Sequence, residues 1–205
     1  MCIRNCAGVV SSTWTDPGKS GTLADTNTGD EYRLTLAGWV GNLRWLGLAI
    51  LVLVLDLATK SLASDALTLY RPEAITSWLN LTLAHNYGAA FSFLADAGGW
   101  QRWFFTLLAS GVTLVLLVWL FRLRKDEWLT GASLGLIIGG AVGNLVDRIR
   151  LGYVVDFIDV HYAGHHWPAF NIADSAISCG IVLMLVDAFL MSRKRATGAA
   201  DTEQQ

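Results

Sequence analysis

The stretch WFFTLLASGVTLVLLVWLF, residues 103–121, decides the architecture. It carries no charge from end to end, and a soluble core helix of this length would show a polar face. At ~1.5 Å rise per residue it covers close to the ~30 Å of a bilayer's hydrocarbon. Three more apolar runs flank it, at 40–58, 128–146 and 172–192. Asp56 lies near the end of the first, and Asp147 stops the third. The expected fold is an all-α membrane protein with four transmembrane helices.

Composition agrees. The 205-residue chain is 53% hydrophobic and only 16% charged, with a mean hydropathy of +0.43. Soluble domains average about 25% charged residues. A net charge of -2 argues against a nucleic-acid partner, which needs a basic surface. The nine tryptophans suit a protein with two water–lipid boundaries. Residues 1–37 are polar and aperiodic and read as a disordered extension without a signal peptide. Residues 38–195 form the membrane domain, and 196–205 a polar tail. Cys2, Cys6 and Cys179 suggest neither a disulfide framework nor a metal knuckle, and Cys179 reads as a small core residue.

Arg122, Arg124 and Lys125 fall between runs two and three, Arg193, Lys194 and Arg195 follow run four, and Arg33 and Arg44 precede run one. With four spans these groups share one side, which the positive-inside bias makes cytoplasmic. Both termini then lie in the cytoplasm. Lys60, Arg71, Arg102, Arg148 and Arg150 are spread over the outer side. The outer loop between runs one and two is long enough for structure of its own. Within it, ITSWLNLTLA at 75–84 alternates like a strand, which predicts a small outer β or amphipathic subdomain.

Asp56, Asp147, Asp156, Asp159 and Asp174 all fall at the outer span ends, where carboxylates are functional candidates. Asn171 is placed to cap the fourth helix with Asp174 at its third position, so Asp174 reads as a cap, a reactive group, or both. Asp156 lies among apolar neighbours in VVDFID, which raises its pKa unless a partner compensates. Asp159 shares its face in a helix and points away in a strand. Arg148 suits a phosphate headgroup.

His161, His165 and His166 have poor zinc spacing, no nucleophile elbow is present, and no metal or cofactor is expected. Carboxylate chemistry remains. Two aspartates that share one proton can activate water and protonate a carbonyl. Spacing alone does not separate Asp156 and Asp174 from Asp147 or Asp159.

Four motifs in this order resemble the bacterial lipoprotein signal peptidases, or signal peptidase II: DLATK at 56–60, NYGAAFSF at 86–93, GGAVGNLVDRIRLGYVVDFIDV at 139–160 and PAFNIADSAI at 168–177. The resemblance covers about 43–193. It implies an inner-membrane aspartyl endopeptidase that needs no cofactor. Its substrates would be diacylglyceryl-modified prolipoproteins, cut just before the lipidated cysteine, with membrane lipid as the surrounding partner. The family's catalytic pair falls on Asp156 and Asp174, at the outer, periplasmic side. Asn86, Asn144, Arg148 and Asn171 would line the site, Asp56 would support it, and Asp147 would be structural. A small proton-relaying transporter and a non-catalytic scaffold are the rival readings. The runs show no inverted repeat for the first, and the second leaves the outer cluster unexplained.

Overall fold

The computed structural model describes residues 28–88, 98–124 and 126–203, and of residues 28–41 and 194–203 the backbone alone. Four helices carry the chain: α1 Thr28–Ala66, α2 Trp100–Arg122, α3 Trp128–Arg150 and α4 Ile172–Glu203. Each contains a segment long and apolar enough to span a membrane: Asn42–Ala66, Trp100–Arg122, Trp128–Arg150 and Ile172–Arg193. The third run passes Asp147 and ends at Arg150, because Asp147 is paired with Lys60 inside the protein rather than solvated at a boundary. α1 begins at Thr28, so its backbone is helical across the last part of the extension expected through Ala37. A helix already nucleated by its apolar portion extends at little cost. Residues 1–27 lie outside the described residues.

α3 is the hub. Over its apolar window 56% is buried, against 28%, 17% and 17% for α1, α2 and α4, and it packs on all three. Small residues permit this. A Cβ on Gly139 would stand 2.6 Å from the carbonyl oxygen of Ala49 on α1. One on Gly140 would collide with the Ala173 carbonyl of α4. In a bilayer, such close backbone approach takes over the role that hydrophobic burial plays in water. The outward faces of α1, α2 and α4 expose Ile50, Leu107, Val115 and Leu185, a surface suited to lipid rather than water. Cys179 belongs to that exposed face and not to the core, while its neighbour Gly180 is the residue that packs on Ser133 and Ile137 of α3. Asp187, inside α4, accepts a short hydrogen bond from Thr130 of α3.

At one end of the bundle sits a four-stranded antiparallel sheet in the order β1 Glu73–Ala74, β2 Leu79–Asn86, β3 Val154–Tyr162 and β4 His165–His166. The small subdomain expected between the first two spans is therefore a sheet, and VVDFID is a strand. β2 pairs Asn80 with Asp159, then slips by one residue between Leu81 and Ala84, and resumes with Ala84 opposite Asp156. This bulge reverses which face the following side chains take. Before it, Asn80 and Thr82 serve Asp159; beyond it, Asn86 serves Asp156. The stretch after Gly88, residues 89–97 of the quoted NYGAAFSFL motif, lies outside the described residues.

Candidate active site

The sequence NIAD builds the start of α4. The Asn171 side-chain oxygen accepts the Asp174 backbone N–H at 2.9 Å, and Asp174 accepts the Asn171 N–H at 3.3 Å. This reciprocal cap fixes the Asp174 carboxylate in the first turn. Asp56, fully buried on α1, accepts the next free N–H of α4, that of Ala173, at 2.9 Å. Three orphan donors at the helix start thus meet oxygens at the site, and the helix dipole favours both carboxylates.

Asp156 enters from β3 and is 2% exposed. One oxygen accepts the Asn171 amide at 2.7 Å, the other the Asn86 amide at 3.1 Å. Asn86 is itself held by the Gly88 N–H at 3.0 Å. Burial, then the charge of Asp174, push the Asp156 carboxyl up to about 7 against the pull of the Asn86 and Asn171 hydrogen bonds and of Lys60. The two aspartates are bridged by amides. Asn171 bonds Asp156 and also reaches the Asn144 oxygen at 3.2 Å, while the Asn144 amide donates to Asp174 at 2.7 Å.

Beneath them lies a group the sequence reading passed over. Lys60, counted there as an outer-side cation, is 3% exposed; it forms ion pairs with Asp56 at 2.8 Å and Asp147 at 2.9 Å and donates to the Asn144 oxygen at 2.9 Å. By taking that oxygen, Lys60 turns the Asn144 amide toward Asp174. Asp147 also accepts the Val155 N–H at 3.2 Å, one residue before Asp156. Arg148, on the same turn of α3 as Asn144, stands within electrostatic reach of Asp156 and Asp174 and donates to the Gly88 carbonyl at 3.0 Å. All seven candidates, Asp56, Asn86, Asn144, Arg148, Asp156, Asn171 and Asp174, therefore meet at one end of the bundle.

The other acidic candidates are otherwise engaged. Asp147 faces Lys60. Asp159 takes the opposite face of β3, where His166 meets it at 2.8 Å and Asn80 and Thr82 donate to it. Burial there is outweighed by these hydrogen bonds, which hold its carboxyl below the ordinary range. His161 reaches Asn80 and stacks on His166. Among the described residues no group of three or more His, Cys, Asp or Glu side chains is arranged to hold a metal ion.

A family model described as Signal peptidase (SPase) II matches residues 48–190, well over half the chain. A lipoprotein signal peptidase of Teredinibacter turnerae is 54% identical over 158 residues, covering 77% of this chain and 94% of its own. One from Acinetobacter baumannii is 56% identical over 154 residues, covering 75% and 88%. A solved bacterial membrane enzyme superposes with a TM-score of 0.66 at 29% identity, over 74% of this chain and 90% of that one. The chain belongs to the signal peptidase II family, a family of membrane peptidases.

Proposed function

We propose that the chain is an aspartyl endopeptidase that removes the signal peptide from diacylglyceryl-modified prolipoproteins, cutting before the lipidated cysteine, with Asp156 and Asp174 as the catalytic pair. The supporting observation is the pair itself: two carboxylates from different elements, joined through Asn171 and Asn144, one of them raised to about 7. The relatives named lipoprotein signal peptidase support the substrate class.

Asp156 holds the shared proton at neutral pH. Asp174 takes a proton from water as the water oxygen bonds to the scissile carbonyl carbon. Asp156 gives its proton to the carbonyl oxygen, and a neutral gem-diol results. Asp174 then gives its proton to the amide nitrogen while Asp156 takes one from a gem-diol hydroxyl; the C–N bond breaks, a carboxyl and a free cysteine amine are released, and the pair again holds one proton. Asn86 and Asn171 keep Asp156 oriented, Asn144 keeps Asp174 oriented, and Arg148 offsets the negative charge of the pair. The signal helix enters between the spans from the bilayer plane, which aligns the scissile bond at low entropic cost. Residues 38–195 carry the activity in the inner membrane. Both termini are cytoplasmic and the site faces the periplasm, as the Arg and Lys distribution favours.

The test is reconstitution in lipid with a diacylglyceryl-modified prolipoprotein. Cleavage before the lipidated cysteine is expected, with Asp156→Asn and Asp174→Asn each folded and inactive. Cleavage that survives in either variant would show that another carboxylate is used.

A further inference from the structure

Arg102 stands where its own helix does not want it. It is the third residue of α2, and a cation there opposes the positive end of the α2 dipole. Its guanidinium instead reaches the end of α3. Nε donates to the Arg148 carbonyl at 2.9 Å and an Nη to the Ile149 carbonyl at 2.7 Å. These are last-turn carbonyls, which a helix cannot satisfy from within. Their negative dipole end accounts for the position of the charge.

Two further features fit the same contact. Gly152, with φ of 89°, lets the chain turn over the guanidinium, and a Cβ there would sit 3.4 Å from it. One turn along α2, the Phe105 ring lies 5.7 Å from the Arg148 guanidinium. The first turns of α2 thus grip Arg148 twice, its carbonyl through Arg102 and its side chain over Phe105. The segment pinned between them, 148–153, leads directly into β3 and Asp156.

We propose that Arg102 is a positioning residue for the reaction: it does not touch substrate, but fixes Arg148 and the start of β3 against the aspartate pair. The assignment of an effect on turnover rests on the peptidase reading above.

The test compares Arg102→Met, Arg102→Lys and Arg150→Gln in the full-length protein in lipid. Arg150 lies at the same helix end, is exposed, and controls for loss of charge alone. Expected for Arg102→Met is a fall in kcat of about tenfold to a hundredfold, the scale of a misplaced site, with KM changed less than about twofold. Arg102→Lys, which supplies a cation without the fork, is expected to recover part of kcat, and Arg150→Gln to match the parent. A second reading needs no substrate: the infrared carbonyl band of protonated Asp156, taken as the difference from Asp156→Asn. Displacing Arg148 from Asp156 is expected to shift its titration to higher pH in Arg102→Met. A variant with a lower Tm but unchanged kcat and an unchanged Asp156 titration overturns the proposal, as Arg102 would then only stabilise the fold. If the parent protein fails to cleave, the peptidase reading falls, while the infrared titration still decides whether Arg102 positions the pair.

Discussion

Lys60 shows what a single residue does here. It is a buried cation between two buried carboxylates, and removing it leaves both uncompensated. Breaking such a pair by deleting one partner costs about 3–5 kcal/mol. Lys60→Met is therefore expected to lower thermal stability in detergent by that order, and adding Asp147→Asn to recover part of the loss. The i,i+4 relation of Asp56 and Lys60 is visible in DLATK, but Asn144, 84 residues on, is not. Burial of a lysine is decided by distant partners, which is why the residue reads as a loop cation in sequence.

Asp156 makes the second prediction. A carboxyl raised from 3.8 to about 7 contributes stability that is complete below 3.8 and is lost as pH rises through 7. At ~1.4 kcal/mol per unit this amounts to about 4 kcal/mol across the window. His85 works in the opposite sense, since burial holds its pKa below the usual 6.5. The difference between the parent and Asp156→Asn isolates the carboxyl: melting curves from pH 4 to 8 are expected to show the variant gaining on the parent as pH rises. Asp159, held low, acts only below its ordinary range. Cleavage is expected to decline above about pH 7 as the pair loses its shared proton.

At the scale of elements, apolar run length and the Asn171 cap made the helices legible. The alternation in ITSWLNLTLA made β2 legible, but not its register. VVDFID remained open between helix and strand because its partner lies 70 residues earlier, where Asn86 meets Asp156. The bulge carries no local signature, yet it lets Asn80 and Asn86, six residues apart, serve opposite faces of β3. Asn86→Ala removes one hydrogen bond to a carboxyl and is expected to slow cleavage by about tenfold to a hundredfold. Deleting Leu83 restores an even pleat and turns the whole 84–86 segment over, so a larger loss than Asn86→Ala is expected from the same assay on folded protein.

The molecule as a whole was legible as four spans because hydropathy is summed locally. That α3 is the hub was not, since its burial follows from what the glycines allow neighbours to do. Orientation is tested in a cysteine-free background. Tyr162→Cys, at an exposed site on β3, is expected to react with an impermeant maleimide in intact spheroplasts, and Asp126→Cys, between α2 and α3, only after permeabilisation.

The Asp56–Lys60 pair has a consequence for biogenesis. A lone aspartate or lysine centred in a span costs about 2.5–3.5 kcal/mol on insertion. α1 brings its counter-ion four residues along the same face, so it enters the bilayer electrically neutral before α3 has been translated. On α3 the adjacent Arg148 does not share a face with Asp147, which pairs instead with Lys60 of α1. Docking joins the two helices: Asp147 pairs with Lys60, and Arg148 stands within electrostatic reach of Asp156 and Asp174.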